Sequence, residues 1–250
     1  MRIYEVNFSV YGVVKLWKQL AREGISVARC TVARLMKQLG IQGIRRGKRI
    51  RTTFADKAST AYPLDKVNRQ FTATRPNQLW VSDFTYVSTW QGWLYVAFVI
   101  DVFARRIVGW RVSKSMTTDF VLDALEQALY ARQPNDTDDL IHHSDRGMQY
   151  VSIRYTERLA EANIQPSVGS KGDSYDNALA ETINGLYKTE LIHRRAPWKT
   201  REAVEIATLE WVHWFNHLRL LEPIGHIPPA EAEECYYKEL AKQASHAVLL

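Results

Sequence analysis

The chain is short of several things, and each shortage excludes a class of protein. It holds two cysteines in 250 residues, Cys30 and Cys235. They are too few for a disulfide framework and too far apart for a Cys-based zinc spacing, which fits a reducing compartment. No apolar run approaches the roughly 20 residues that a membrane-spanning helix needs. The longest is Trp93 to Ile100, and the opening MRIYEVNFSV carries no apolar signal-peptide core. The cytoplasm is therefore the expected place, with no membrane partner. No internal repeat, heptad pattern or low-complexity segment is present. With 46% hydrophobic and 24% charged residues the chain reads as a folded globular protein. Its length suits one large domain, or a medium domain with a small one attached.

Acidic residues are scarce in one part only. Residues 1–75 hold 16 of the 33 Lys+Arg but 4 of the 27 Asp+Glu, a net +12, so the remainder carries −6 of the overall +6. A basic third joined to a mildly acidic remainder points to a polyanion partner for the basic part. Residues 11–22 and 26–39 read as two amphipathic helices. Val13, Leu16, Trp17 and Leu20 form the apolar stripe of the first, and Val32, Leu35, Met36 and Leu39 that of the second. Ser26 is the expected cap and Gly40 the expected stop. The second helix shows Arg29, Arg34 and Lys37 on its other face, the outline of a DNA-binding helix-turn-helix over residues 1–44. Residues 45–75 follow as a basic linker, with Arg45, Arg46, Lys48, Arg49 and Arg51 crowded where they could track a phosphate backbone.

From Asn77 the pattern changes. QLWVSDFTYVST alternates with period two, Trp93 to Val102 is a buried apolar run, and RRIVGWRV is a third strand. Short links between them predict an antiparallel meander. A helix over 118–132, a short strand near 140–143, a helix over 152–163, a strand at 166–168, and helices over 175–191 and 200–218 complete an α/β layout. This is a mixed five-stranded sheet flanked by helices. The expected core spans 76–235, with 236–250 as a tail.

Three acidic residues stand where solvation explains little. Asp83 lies inside the first strand, among Trp80, Val81, Phe84 and Val87. Asp145 follows the fourth strand, which can pair in parallel with the first and bring the two aspartates side by side. Glu181 shares a polar helical stripe with Asn177, Asn184 and Lys188. Gathered carboxylates repel one another, and a hard divalent cation such as Mg²⁺ removes that conflict. Two such ions can activate an attacking oxygen and stabilise a leaving oxygen at a phosphodiester. Lys188 would then hold the DNA phosphate nearby.

The segments WVSDFTYV, GWLYVAFVIDVFARRIVGW, HHSDRGMQY and GSKGDSYDNALAETINGLYKTE, in that order, resemble the catalytic second-frame (OrfB-type) transposases of bacterial insertion sequences, whose core is similar to retroviral integrases. Thirty-five residues separate Asp145 from Glu181, the spacing of the D,D(35)E group, and Lys188 follows seven residues later, where that family carries a basic residue. The resemblance implies a ribonuclease H-like fold and a metal triad of Asp83, Asp145 and Glu181. It implies Mg²⁺ as cofactor, as two ions and with Mn²⁺ as substitute, and metal-dependent cleavage and strand transfer at element ends, with no covalent protein–DNA intermediate. Double-stranded DNA and a second copy of the chain on it are the implied partners. An upstream-frame helix-turn-helix and leucine-zipper product is a further one. The alternative is an inactive DNA-binding remnant or regulator of the same fold, and a structure-selective nuclease is a second rival.

Other residues carry structural expectations. Asp101 should pair with Arg105 or Arg106, and His142 and His143 should pack or hydrogen-bond. Trp211, Trp214 and Phe215 belong in the core. Gly169, Gly172 and Asn177 should serve the approach to the Glu181 helix. Ser170, Lys171, Asn216 and Arg219 are candidate DNA contacts.

Overall fold

The computed structural model describes residues 1–45, 67, 71–135, 139–145, 147–169 and 177–247. Its N-terminal segment has three helices, α1 (Arg2–Val6), α2 (Val13–Arg22) and α3 (Arg29–Gln38). The sequence pattern shows only the last two, because α1 is too short for a period. Gly24 and Gly40 end α2 and α3 with φ of +78° and +64°. The residue after each glycine donates back into the helix, Ile25 N–H to the Leu20 carbonyl at 2.9 Å and Ile41 N–H to that of Met36 at 3.0 Å. The left-handed glycine thus satisfies carbonyls that would otherwise be orphaned.

The start of α3 differs from expectation. Ser26 does not cap it; Ala28 precedes the first helical residue and supplies no side-chain cap. The Trp17 indole N–H donates to the Val27 carbonyl at 2.8 Å, tying this link to α2 and delaying the helix. Of the expected stripe only Val32 and Met36 are buried, and Leu35 and Leu39 are exposed. α3 packs mainly on α2, which covers a narrow strip of it.

The sheet begins with an antiparallel meander of β1 (Leu79–Thr89), β2 (Gly92–Asp101) and β3 (Arg106–Ser113), followed by α4 (Thr118–Arg132). β4 (Ile141–Ser144) pairs in parallel with β1, and beyond α5 (Ile153–Glu161), β5 (Gln165–Val168) pairs in parallel with β4. The order is β3-β2-β1-β4-β5. The helix expected over 175–191 appears as α6 (Ala178–Tyr187) running into a π-helical turn (Lys188–Ile192) and α7 (His193–Arg195). Then come α8 (Arg201–His217) and α9 (Pro229–Ala247), which runs without a break across the expected 235/236 boundary.

Both faces of the sheet are covered, which is why β2 reads as one apolar run. On one face Val81, Phe98 and Ile100 meet Ile183, Tyr187, Leu191, Trp211 and Phe215. On the other, Trp80, Ala97 and Val99 meet Phe120, Leu125, Tyr155 and Leu159. The first core also takes in Val10, Tyr11, Leu16, Val32 and Met36, so the N-terminal helices share it. The Trp214 indole N–H donates to Asn7 Oδ1 at 3.1 Å, and the Leu220 N–H to the Tyr11 hydroxyl at 2.7 Å. As expected, Trp211, Trp214 and Phe215 are core residues.

Asp101 is fully buried, but its partners differ from the expected ones. It accepts the Asn77 N–H at 2.8 Å and the Phe103 N–H at 3.0 Å, and Arg132 of α4 lies 3.7 Å away. Arg106 instead pairs with Glu233 of α9 at 2.5 Å. Nearness in sequence misled here, because the helices bring Arg132 and Glu233 over the strand end.

Candidate active site

The site is built where β1 and β4 run side by side. Ser82 is the register partner of Ser144, so Asp83, inside β1, and the loop residue Asp145, just past the end of β4, occupy neighbouring positions. Odd-numbered β1 residues face α6. Asp83 therefore meets that helix and accepts the Asn184 side-chain amide at 2.9 Å through Oδ2, while Oδ1 takes the Phe84 N–H at 2.8 Å. Seven residues earlier on the same stripe, about two turns, the Asn177 amide donates to the Ser82 carbonyl at 2.8 Å. These two asparagines fasten the Glu181 helix to the Asp83 strand. Asp145 takes the N–H of Gly147 at 3.0 Å, and a Cβ at position 147 would sit 3.0 Å from that same carboxylate oxygen.

The electrostatics follow from the crowding. Burial, then the charges of Asp145 and Glu181, push the Asp83 carboxyl well above the ordinary carboxylate range, against the two donors that hold it. Asp145 is also raised, chiefly by the protein around it, although it stands exposed at the rim and its charge is better screened. Half-buried Asp83 carries the stronger effect. A carboxylate opposed by two others is costly unless it is protonated or met by a cation.

The donor set is all oxygen, which suits a hard divalent cation. Two further polar atoms beside it, the Tyr150 hydroxyl and Asn184 Oδ1, are buried with no hydrogen-bond partner among the described residues. The negative charges of Asp83 and Asp145 both act on Tyr150. The chemistry thus fits a metal. The geometry is open: Glu181 lies within electrostatic reach of Asp83, but no three His, Cys, Asp or Glu side chains among the described residues close into one ligand group. Beneath Asp83, Ser82 Oγ lies 2.7 Å from His142 Nε2, and the Tyr155 hydroxyl 3.1 Å from the same nitrogen. His143 Nδ1 lies 2.9 Å from Ser167 Oγ. Both histidines are buried hydrogen-bonding groups, and burial lowers His142 to about 3.

Residues 73–174 and 162–229 match two families described as integrase core domains, and residues 1–49 match an HTH-like domain. Over 96% of its length the chain is 64% identical to the transposase for insertion sequence element IS629 of Shigella sonnei, of which it covers 79%. The chain belongs to the insertion-sequence transposases. It is also 34% identical, over 90% of its length, to the transposase for insertion sequence element IS904 of Lactococcus lactis, covering 87% of that protein. Its fold is that of the HTLV-2 integrase catalytic core, solved in complex with magnesium (TM-score 0.51, 18% identity, 64% of this chain and 98% of that one). A simian T-cell lymphotropic virus intasome chain gives a TM-score of 0.55 at 17% identity, over 72% of this chain and 61% of that one. The ribonuclease H-like expectation holds, and an integrase core in a transposase implies polynucleotidyl transfer on DNA.

Within this transposase Lys188 starts the π-turn and places its ammonium 4.1 Å from the centre of the Tyr86 ring, above β1. Arg29, Arg34 and Lys37 are exposed along α3, and Arg45 is exposed beyond it. Arg46, Lys48, Arg49, Arg51, Ser170, Lys171 and Gly172 lie outside the described residues. Two candidate DNA contacts are corrected. Asn216 is buried and exchanges two hydrogen bonds with the Ile107 backbone, at 3.0 and 2.8 Å. Arg219 is buried in an ion pair with Glu190. Asn177 begins α6 as expected, but as a clasp on β1. Asn184 and Tyr150 were not singled out for chemistry from the sequence. The signal for Asn184 was its place seven residues after Asn177 on a stripe that also carries Glu181; no such signal marked Tyr150.

Proposed function

We propose that this chain cuts and joins DNA at the ends of an insertion element, using divalent metal held by Asp83, Asp145 and Glu181. The observation that carries the reading is the placing of Asp83 and Asp145 side by side where parallel β4 ends against β1, with the Glu181 helix clasped to β1 by Asn177 and Asn184. Bound divalent cations, two with Mg²⁺ or Mn²⁺, would neutralise these carboxylates and supply activation of the attacking oxygen.

The protein's own part is placement. Asn184 holds Asp83 toward the site, and the Gly147 N–H orients Asp145. Lys188 offers a positive charge to the incoming phosphate. In the first step water adds at the scissile phosphorus and the 3′-oxygen leaves with a proton, giving a 3′-hydroxyl and a 5′-phosphate. In the second step that 3′-hydroxyl attacks a target phosphodiester and displaces another 3′-oxygen. One ester bond forms as one breaks, so no nucleotide cofactor is needed. The basic N-terminal third would grip DNA, and two ends held at once call for an oligomer on DNA. Whether an upstream-frame product joins it is answered by the same assay run with and without that protein.

The test is cleavage and end joining on DNA carrying the element's terminal repeats, with Mg²⁺, Mn²⁺ or chelator. Activity should require metal and vanish in Asp83→Asn, Asp145→Asn and Glu181→Gln, while DNA binding persists. Full activity in any of these variants would overturn the assignment of that residue, and metal-independent cleavage would overturn the mechanism.

A further inference from the structure

The tip of the β1–β2 hairpin is an unusual surface. Trp90 is 69% exposed, Trp93 57% and Tyr86 38%. A single exposed aromatic needs no explanation, but three on one hairpin do. Tyr86 faces Tyr95 across the ladder and Trp93 lies two residues from Tyr95, so the Tyr86 and Trp93 rings share a face. They meet edge to face with centroids 5.2 Å apart.

Two lysines from other parts of the chain complete the group. Lys188 sits over Tyr86 at 4.1 Å, and Lys199 over Trp90 at 5.2 Å. Lys199 is held there by the backbone: the Trp90 N–H donates to the Trp198 carbonyl at 3.0 Å, and Thr89 and Trp198 form a bridge. The hairpin tip thus carries three exposed aromatic rings, with an ammonium group set against two of them.

That combination selects its ligand. A paired duplex hides its base faces and would use only the lysines. A protein partner would need acidic side chains placed to meet both cations as well as apolar groups for the rings. An unpaired nucleotide uses both, its base against a ring and its phosphate against an ammonium. Asp83 and Tyr86, an odd number of residues apart, point to opposite faces of the sheet, and the surface is linked to the candidate active site through Lys188, whose ammonium reaches the Tyr86 ring. Tyr86 lies three residues past Asp83 on the same strand, about 10 Å along it, and Lys188 is on the stripe that carries Glu181.

We propose that Tyr86, Trp90 and Trp93, with Lys188 and Lys199, form a platform that captures unpaired nucleotides of the DNA strand next to the phosphate being cut. The proposal rests on the function given above and adds that the enzyme holds the DNA end opened, with bases out of the stack. Stacking of this kind tolerates any sequence, so the probe needs no knowledge of the terminal repeat.

The experiment compares a short oligo-thymidylate carrying one 2-aminopurine with the fully paired duplex of the same length. The full chain should quench the 2-aminopurine of the single strand. The double variant Trp90→Ala/Trp93→Ala should lose the quench and weaken single-strand binding about tenfold or more, leaving duplex binding within twofold. Trp90→Phe/Trp93→Phe should restore most of the quench, which a folding defect would not allow. Equal quenching by wild type and the alanine variant would overturn the proposal. So would equal weakening for single strand and duplex, or a loss of self-association without DNA, which would mark the tip as a contact between copies. Asp83→Asn separates the two readings: it should keep the quench and lose cleavage. A wild-type chain that quenches but never cuts would sink the proposed function and leave the platform standing.

Discussion

Arg219 and Glu190 form a buried ion pair, with Nη2 of the arginine 2.6 Å from Oε1 and Nε 3.0 Å from Oε2. Each is about 3% exposed. Glu190 lies in the π-turn that follows the Glu181 helix, and Arg219 immediately precedes Leu220, whose N–H is bound by Tyr11. One pair thus joins the turn after the Glu181 helix, the end of α8 and the N-terminal segment. Arg219→Ala would strand a buried carboxylate, a loss of about 3–5 kcal/mol. The melting temperature should fall by roughly 10 °C for a chain of this size, measured by calorimetry. A fall under about 2 °C would show that the pair adds little.

Asn184 holds Asp83 without being an acidic residue itself. Asn184→Ala should leave the carboxylates in place and lower the cleavage rate at saturating DNA by about tenfold, with little change in DNA affinity. A variant with wild-type turnover would show that Asp83 needs no such support.

His142 predicts a pH dependence of stability. Its unfolded ring takes up a proton near 6.5, whereas burial holds the folded ring neutral down to about 3. Its contribution is therefore complete above pH 6.5 and is lost progressively as pH falls through that window, with a slope of at most about 1.4 kcal/mol per pH unit. Urea titrations between pH 7 and pH 4.5 should show the loss, and His142→Leu should flatten it while lowering stability at pH 7. An unchanged slope in the variant would rule out His142 as its source.

The Tyr150 hydroxyl is buried with no partner among the described residues. Removing an unpaired polar group relieves its desolvation. Tyr150→Phe, without metal, should therefore be neutral or up to about 1 kcal/mol more stable by thermal unfolding. A loss above about 1 kcal/mol would mean that the hydroxyl is hydrogen-bonded.

Gly109 lies where β3 approaches α4 closely. A Cβ there would fall 2.1 Å from the Ala124 carbonyl oxygen and 3.0 Å from the Ala128 side chain. Backbone cannot yield as a side-chain tip can, so Gly109→Ala should cost at least about 2 kcal/mol. Denaturant unfolding at wild-type stability would contradict this close packing.

The period-two pattern of β1, the unbroken apolar β2 and the short links between β1, β2 and β3 by themselves determined the meander, because strand alternation and turn length are local properties. The same holds for α2 and α4, and for the glycines that end α2 and α3. The carboxylate candidates were legible because Asp83 interrupts an apolar strand and because the spacing from Asp145 to Glu181 is a family signature. Which partner each charge takes was not legible. Arg219 looked like a DNA contact and Asp101 like a partner of its neighbours, since a sequence shows charge but not what lies over it. Only the packing of α4, α8 and α9 against the sheet assigned Arg132 to Asp101, Glu233 to Arg106 and Glu190 to Arg219. The π-turn that carries Lys188 to Tyr86 and the shared core of the N-terminal helices were decided in the same way. Local sequence sets where helices and strands form, but ion pairs and docking depend on distances between residues far apart in the chain, and those exist only once the chain has folded.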